Sequence, residues 1–312
     1  MKQIVIKCGD HIVSSWVSNM TKLLPEFEIL PYNSVSGIRQ NDVSYIIGWC
    51  PDAIWVNTFP SLKALVSIGS GVDHIINLGQ LRNDIPVLRT VSPDLIQRMR
   101  EFVVMCTLAW HRQLLSILET NKNKKWDRFA VPTATETTVG IMGFGGMGKA
   151  VAETLSSIGY KIRIWANSPR KNIPYEYFHG NNDLNVFASE CDVLICLLPL
   201  TVATEGILDY KLFKSLKKGA CLINAARGKH LKETDLVKAM DENLLSHAFL
   251  DGLFPEPLPS DASTWNIKNV TVTCHSAAYI SPEVGPQIIA DNIRAYEQGQ
   301  FNGPMYDPML GY

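Results

Sequence analysis

Residues 139–155 read VGIMGFGGMGKAVAETL, and this stretch decides the fold class. An apolar segment typical of a strand leads into clustered glycines, and good helix formers follow them. The glycines fit GxGxxG, in which successive glycines allow a tight turn, a close approach to a pyrophosphate and helix–strand packing. Although the hexapeptide alone is also compatible with a structural turn, its setting predicts a dinucleotide site. The residues expected against the dinucleotide are Gly143, Gly145, Gly146, Met147 and Gly148.

Strand-like and helix-like segments alternate on both sides of this stretch. Before it, the sequence predicts a helix at 11–24 and strands at 3–7, 43–49, 62–68 and 86–88. After it, strands are predicted at 161–166, 193–198, 220–224, 248–250 and 270–273, and helices at 209–216, 232–243 and 282–298. This alternation is typical of parallel sheets that carry helices on both faces.

One long helix is predicted between the two series of strands. Ser92 is a suitable N-cap for it, and Pro93 a suitable first helical residue. The pattern continues to about Leu118, and a polar segment follows at 119–125. Its apolar face is expected to consist of Phe102, Met105, Cys106, Ala109 and Trp110.

Length and charge exclude several classes of protein. The chain has 312 residues, which is enough for about two domains. Its 29 Lys and Arg residues balance 30 Asp and Glu residues, so the net charge is -1. This balance gives no global electrostatic reason to expect nucleic acid or an anionic membrane as a partner.

Cysteine usage and hydropathy predict a cytoplasmic protein. The seven cysteines form no CxxC pair, so neither a zinc site nor a redox motif is supported, and no metal is expected. Most lie in apolar runs and are predicted to be buried, reduced thiols. No apolar run reaches the length of a membrane span, and the N-terminus looks like a strand rather than a signal peptide.

The residues after the strand at 161–166 bear on the choice of dinucleotide. NAD sites carry an acidic residue about 20 positions beyond the glycines, where it binds the ribose hydroxyls. Here that region reads NSPRK and has no carboxylate. Arg170 and Lys171 are suited to a 2′-phosphate, with Asn167 and Ser168 as hydrogen-bonding partners. A solvated basic loop is the alternative, and we predict NADPH, with weaker use of NADH.

Three later motifs place charged or titratable groups just beyond predicted strands. They are NAARG at 224–228, LDGLFPEPL at 250–258 and TCHSAA at 273–278. Open α/β sheets keep their active sites at the carboxyl ends of the strands. The motifs therefore predict an active site built from residues of all three segments.

In this order and spacing, the motifs resemble those of the D-isomer-specific 2-hydroxyacid dehydrogenases, which also share GSGVD at 69–73 and LPLT at 198–201 with Thr204. The resemblance covers essentially the whole chain, and length and ending are most similar to the glyoxylate/hydroxypyruvate reductase branch. It implies two Rossmann-like or flavodoxin-like doubly wound domains, with the nucleotide domain inserted into a discontinuous substrate domain. The implied domains are residues 1–98 plus 282–312 for substrate binding and residues 99–281 for NAD(P) binding.

The resemblance also implies roles for the catalytic residues. Arg227 would grip the carboxylate and carbonyl oxygen of a 2-oxo acid with its planar fork. His275 would be the general acid, because imidazole changes charge nearest neutral pH. Glu256 would orient His275. The main-chain N–H groups of Ser70, Gly71 and Val72 would bind the substrate carboxylate.

Further residues are implied around the cofactor and the substrate. Asp251 corresponds to a family acid near the nicotinamide, although it is also suited to bracing a loop. Trp49 is placed to shape selectivity, or else to pack, whereas His74, His230 and His247 are predicted to be structural or solvated. The remaining implied cofactor contacts are Met99, Leu198, Pro199, Thr204, Ala225 and Ala226.

The implied activity is the NADPH-dependent reduction of small 2-oxo acids, namely glyoxylate to glycolate and hydroxypyruvate to D-glycerate. One alternative is a reductase of a bulkier 2-oxo acid such as phenylpyruvate, or an enzyme that uses an inorganic hydride donor. Another is a non-catalytic NAD(P)H-sensing protein similar to the corepressor relatives. Relatives pair through the nucleotide domain, so a homodimer with residues 95–126 at its surface is expected.

Overall fold

A computed structural model describes residues 1–34, 36–49, 53–76, 82 and 84–312. These residues divide into unit 1, Met1–Pro93 with Ile280–Tyr312, and unit 2, Asp94–Tyr279. Both boundaries lie a few residues before the predicted ones. The assignment of substrate binding to unit 1 and nucleotide binding to unit 2 stays a prediction.

Strands and helices mostly alternate along the chain in both units. The strands are β1 (Gln3–Lys7), β2 (Glu28–Pro31), β3 (Val43–Gly48), β4 (Ala64–Ser67), β5 (Val87–Leu88), β6 (Thr138–Met142), β7 (Lys161–Ala166), β8 (Glu176–His179), β9 (Val193–Cys196), β10 (Ala220–Asn224), β11 (Leu245–Leu250) and β12 (Val270–Val272). The helices are α1 (Val13–Leu23), α2 (Ala53–Val56), α3 (Asp73–Ile76), α4 (Pro93–His111), α5 (Leu114–Lys122), α6 (Gly146–Ile158), α7 (Gly180–Ala188), α8 (Tyr210–Ser215), α9 (Glu233–Asp241) and α10 (Gly285–Glu297).

Unit 1 contains a parallel sheet with the strand order β2-β1-β3-β4-β5. Strands β3 and β4 are buried along their whole length, which explains their continuous apolar sequences. Helix α1 buries Val13, Trp16 and Met20 at helical spacing. Helix α10 packs against α1, so the C-terminal segment completes the same unit as the N-terminal one.

Unit 2 contains a parallel sheet with the strand order β12-β11-β10-β9-β6-β7-β8. The order reverses between β6 and β9, which is the switch point where doubly wound sheets bind ligands. The glycine stretch follows β6 and begins α6 at this point. The predicted fold class, two doubly wound parallel-sheet domains, is confirmed.

The long helix differs from its prediction in two ways. It ends at His111, and α5 begins after Gln113, whose φ of 57° breaks the helix. The predicted apolar face was right for Phe102, Cys106, Ala109 and Trp110, which lie in or against the core, and wrong for Met105, which is 55% exposed. The fully buried residues of α4 are Leu95, Met99, Val103, Cys106, Thr107 and His111.

Several elements escaped prediction: the four-residue helices α2 and α3, which are too short to show periodicity, and β2, β8 and α7, of which little is buried. Strand β8 lies at a sheet edge and buries no residue fully, and α7 buries only Phe187 and Ala188. Strand β2 buries only Ile29. Short amphipathic segments of this kind carry too little periodicity for recognition.

The cysteines are mostly as predicted. Five of the described ones are buried and free, and burial raises the pKa of the Cys191 and Cys196 thiols to about 12, so both stay protonated. Cys274 is the exposed exception among the described cysteines, because it belongs to the loop after β12 rather than to the strand itself. Cys50 lies outside the described residues.

No helix within the described part of the chain is long and apolar enough to cross a membrane. The cytoplasmic location stays a prediction.

Candidate active site

The glycine turn of unit 2 owes two of its glycines to the fold itself. A Cβ on Gly143 would lie 2.8 Å from the carbonyl oxygen of Leu197, and its φ of 102° disfavours any side chain. A Cβ on Gly148 would lie 2.0 Å from the carbonyl oxygen of Gly143. These two residues allow the turn and the close packing of α6 that the motif requires.

At position 145, by contrast, the packing of the described residues does not require a glycine. A Cβ there would meet nothing within 4 Å, and φ is -81°, which any residue adopts. Gly145 is the N-cap of α6, a helix of 13 residues whose first N–H groups carry partial positive charge. The open space at this helix start fits a dinucleotide pyrophosphate, because only a ligand would compete with a side chain there.

Arg170 lies beside this turn. Its Nη1 donates to the carbonyl oxygen of Phe144 at 2.6 Å, so a residue beyond β7 is tied to the glycine motif. Asn167, Ser168 and Lys171 are exposed around it. This arrangement fits a 2′-phosphate better than ribose hydroxyls, since the segment offers cations and no carboxylate.

His275 and Glu256 lie together in unit 2. Nδ1 of His275 is 2.5 Å from Oε1 of Glu256, and both side chains keep part of their surface exposed. Because a carboxylate only accepts, the Nδ1 proton is held against Glu256. Proton transfer to a substrate then falls to Nε2 of the ring.

Asp251 holds the loop that carries His275. Asp251 is 4% exposed, and its carboxylate accepts hydrogen bonds from Thr273 Oγ1 at 2.7 Å, Ser276 N at 2.8 Å and Ala277 N at 3.1 Å. Its carbonyl oxygen accepts from His275 N at 2.9 Å. The loop needs such support, because Cys274 and His275 both have positive φ, at 54° and 55°. Asp251 therefore braces this loop, and its predicted contact with the cofactor stays a prediction.

Two glycines place Arg227 close to the loop that leads to Glu256. A Cβ on Gly228 would lie 2.0 Å from the carbonyl carbon of Leu253, and one on Gly252 would lie 2.8 Å from Cα of Arg227. The main chains at 226–228 and 252–254 thus touch directly. Arg227, Glu256 and His275 come from segments that follow the neighbouring strands β10, β11 and β12, as predicted for an active site.

Several predicted cofactor residues have roles within the protein. Met99, Leu198, Ala225 and Ala226 are buried in the core. Thr204 Oγ1 donates to Pro199 O at 2.7 Å, which fixes the loop after β9. Contacts of these residues with a cofactor stay predictions.

Two other histidines of unit 2, His230 and His247, have structural partners. Nδ1 of buried His230 accepts from Arg227 N at 3.2 Å, and its Nε2 is 3.2 Å from Pro199 O. Nε2 of His247 is 3.0 Å from Thr271 Oγ1. Burial lowers the pKa of His247 to about 4, so it is neutral at pH 7.

In unit 1, Trp49 and His74 form a stacked pair. Their ring centroids are 3.9 Å apart and the planes are tilted by 21°. Trp49 also lies against Gly69, whose added Cβ would be 3.4 Å from the indole. The packing alternative for Trp49 thus has direct support, and its role in selectivity stays a prediction. Residues 50–52, which follow it, lie outside the described residues.

The loop Ser70–Val72 is supported by residues that sequence reasoning missed. Ser67, Arg89 and Thr90 each donate a hydrogen bond to a carbonyl of residues 69–71. Their sequence signal was weak, because each lies at or just beyond a short buried strand and belongs to no recognised motif.

Comparisons with known proteins agree with this geometry. The sequence model of the family described as D-isomer specific 2-hydroxyacid dehydrogenase, NAD binding domain, matches residues 104–277. The glyoxylate/hydroxypyruvate reductase A of Serratia proteamaculans is 32% identical over 302 residues, covering 95% of this chain and 96% of that protein.

Solved structures are similar over the full length. An NADPH-dependent glyoxylate/hydroxypyruvate reductase from Sinorhizobium meliloti, in complex with NADP and sulfate, has a TM-score of 0.89 at 30% identity and 100% coverage of both chains. A D-isomer specific 2-hydroxyacid dehydrogenase from Xanthobacter autotrophicus, in complex with NADPH and MES, has a TM-score of 0.89 at 30% identity, covering 100% of this chain and 99% of that one. The chain therefore belongs to the D-isomer specific 2-hydroxyacid dehydrogenase family.

Proposed function

We propose that this protein is an NADPH-dependent reductase of small 2-oxo acids, which converts glyoxylate to glycolate and hydroxypyruvate to D-glycerate. The observation that carries the proposal is the 2.5 Å contact between His275 and Glu256. The glyoxylate/hydroxypyruvate reductases among the relatives support the substrate class. The complexes of related structures with NADPH and NADP support the cofactor.

The proposed chemistry divides between the cofactor and the side chains. Bound NADPH supplies the hydride that reduces the carbonyl carbon. Arg227 binds the carboxylate and the carbonyl oxygen, and its charge polarises the carbonyl. His275 donates the Nε2 proton to that oxygen as it gains negative charge. Glu256 keeps the ring oriented and stabilises the imidazolium before the transfer.

The proposed cofactor site uses the start of α6 and the residues after β7. The open space at Gly145 leaves room for the pyrophosphate, and the N–H groups of the helix start would bind it. Arg170 and Lys171 would bind the 2′-phosphate. Gly143, Gly146, Met147 and Gly148 would line the same turn.

A substrate series tests the reaction. Oxidation of NADPH by the purified protein would be followed with glyoxylate, hydroxypyruvate, pyruvate and phenylpyruvate. We expect kcat/KM to be highest for glyoxylate or hydroxypyruvate. A higher kcat/KM for phenylpyruvate would instead indicate that the substrate is a bulkier 2-oxo acid. NADPH binding without turnover of any 2-oxo acid would contradict it and favour a sensing protein.

The choice of cofactor has its own test. Arg170→Ala should weaken the binding of NADPH more than that of NADH, because only NADPH carries the 2′-phosphate. Arg98→Ala is the matched control, since Arg98 is a partly exposed arginine of the same unit, paired with Asp94 at 2.8 Å. Equal losses for both cofactors in the Arg170 variant would remove the argument for NADPH.

The proposal includes a homodimer formed through residues 95–126. Exposed apolar side chains in and after α4 and α5 support it, since large apolar surfaces usually mark interfaces. They are Met105, Leu114, Ile117, Leu118 and Trp126. Sedimentation of the protein and of Leu118→Asp tests this part, and a wild-type monomer at micromolar concentration would overturn it.

A further inference from the structure

Three successive carbonyl groups of unit 1 are held by hydrogen bonds from the protein. The N–H of Thr90 donates to Gly69 O at 3.2 Å, and Nε of Arg89 donates to Ser70 O at 2.7 Å. Ser67 Oγ donates to Gly71 O at 2.8 Å. The main chain of this loop is therefore fixed by donors from the ends of the neighbouring strands β4 and β5.

The held carbonyls determine where the following N–H groups point. In a trans peptide the carbonyl and the next N–H lie on opposite sides of the chain. Each of the N–H groups of Ser70, Gly71 and Val72 is thus directed away from the donor that holds the preceding carbonyl. Within the described residues these three N–H groups have no hydrogen-bond partner.

Arg89 is the charged member of the three supports. It is half-buried, and burial lowers the pKa of its guanidinium, which still remains charged at neutral pH. Among the described residues no carboxylate side chain forms an ion pair with it; the ring of Tyr312 lies 5.9 Å from it. A partly desolvated cation without an anionic partner is costly, so this environment favours a bound anion.

We propose that Arg89 is a positioning residue for the carboxylate of the 2-oxo acid. Its bond to Ser70 O fixes the direction of the Gly71 N–H and polarises that peptide, which makes the N–H a stronger donor. Its charge also lowers the energy of an anion bound at these N–H groups. The inference rests on the proposed function, because that function makes the loop Ser70–Val72 the carboxylate site.

Substitutions of Arg89 test this role through the substrate KM. In Arg89→Met, KM for glyoxylate should rise on the order of 10- to 100-fold, the size expected when a charged hydrogen-bond donor is lost. The Kd of NADPH and the pH profile of kcat should stay unchanged. Arg89→Lys keeps a charged donor and should restore most of the affinity. Arg89→Gln keeps only a neutral donor, and its KM for glyoxylate should lie between those of Arg89→Met and Arg89→Lys.

Two controls separate this role from a structural one. Arg39→Met removes an arginine of the same unit that also donates to a carbonyl, that of Met1 at 3.1 Å, and should leave KM unchanged. Tyr312→Leu removes the ring beside the guanidinium but leaves its bond to Ser70, and should also leave KM unchanged. A rise of KM in Tyr312→Leu equal to that in Arg89→Met would assign the effect to the C-terminal segment and overturn the proposal.

Binding of oxamate, an unreactive analogue of a 2-oxo acid, provides a readout without catalysis. Calorimetric titration of the NADPH-loaded protein should give a Kd that rises in Arg89→Met by about the same factor as KM. If the wild type reduces no 2-oxo acid, the proposed function fails, yet oxamate binding that depends on Arg89 still supports the anion site. Unchanged oxamate binding in Arg89→Met and Arg89→Gln, or no binding to the wild type, would overturn it. Should Arg89→Met fail to fold, Arg89→Gln gives the same measurement.

Discussion

The loop Ser70–Val72 in unit 1 and the turn Gly143–Gly148 in unit 2, both proposed to bind anionic groups, take their shapes by different means. Each follows a buried parallel strand and presents main-chain N–H groups. The turn takes its shape from missing side chains, because Gly143 and Gly148 have no room for a Cβ. The loop takes its shape from side chains that are present, since Ser67 and Arg89 hold its carbonyls. A site built from glycines is therefore visible as a motif, whereas a site built from scattered supports is not.

The largest expected effect breaks the turn of unit 2. Gly148→Ala would place a Cβ 2.0 Å from the carbonyl oxygen of Gly143, and neither main chain can yield without moving α6 from the sheet. We expect a loss of about 4 kcal/mol or more in the free energy of unfolding, as for other severe backbone clashes. Urea unfolding followed by circular dichroism would measure it.

Gly145→Ala is the matched control for that experiment. Its Cβ meets no protein atom within 4 Å, so the free energy of unfolding should change by less than about 1 kcal/mol. The Kd of NADPH should nevertheless rise at least about tenfold, because the methyl group would occupy the space of the pyrophosphate. Equal stability losses in the two variants would contradict the division between glycines needed by the fold and those needed by a ligand.

A buried histidine offers a way to weaken unit 2 without touching its turn. The pKa of His247 is lowered to about 4 from an ordinary 6.5, so the unfolded chain binds this proton first as the pH falls. His247 should therefore cost stability on the order of 3 kcal/mol between pH 6.5 and pH 4. Urea unfolding at pH 7 and pH 4.5 should show a smaller acid-induced loss for His247→Gln than for the wild type. Parallel losses would contradict the buried neutral state.

The loop of His275 in unit 2 is shaped in the same way as the loop of unit 1, because the side chain of Asp251 holds the positive φ angles of Cys274 and His275. Asp251→Asn leaves one acceptor oxygen and turns an NH₂ group toward donors that the carboxylate satisfies. We expect a loss of about 2 kcal/mol in stability and a fall of about tenfold in kcat. Asp241→Asn, an exposed position of the same unit, should change neither. Full kcat in Asp251→Asn would show that the brace does not position His275.

The smallest expected effect concerns a neutral support of unit 1. Ser67→Ala removes the bond to Gly71 O and should raise KM for glyoxylate about fivefold, which corresponds to about 1 kcal/mol. Ser44→Ala, a buried serine of the neighbouring strand β3, should leave KM unchanged. Comparison with Arg89→Met would then show how much of the site depends on charge.

Much of the fold could be predicted because its signals are local. The glycine stretch and the continuous apolar strands identified a doubly wound parallel-sheet protein. The edge strand β8 and helix α7 escaped because they bury little apolar surface. The break at Gln113 escaped because nothing in its residue type requires a positive φ.

Residues of the candidate site could be predicted where a recognised sequence motif indicates a single function. Arg227, Glu256 and His275 follow neighbouring strands, and the structure brings Glu256 and His275 into contact. The supports around them could not be read in advance, because a hydrogen bond from Arg89 to Ser70 depends on tertiary pairing of β4 with β5. The bracing role of Asp251 was one of two alternatives, and only the geometry of the loop distinguishes it.

The general-acid role of His275 is tested most directly by the rate of 2-oxo acid reduction in His275→Ala. With glyoxylate and saturating NADPH, kcat should fall by a factor on the order of 10² to 10⁴, while the Kd of NADPH stays unchanged. His179→Ala, an exposed histidine of the same unit, serves as the control and should keep wild-type kcat. A loss confined to KM, with kcat preserved in His275→Ala, would contradict the central claim that His275 is the general acid.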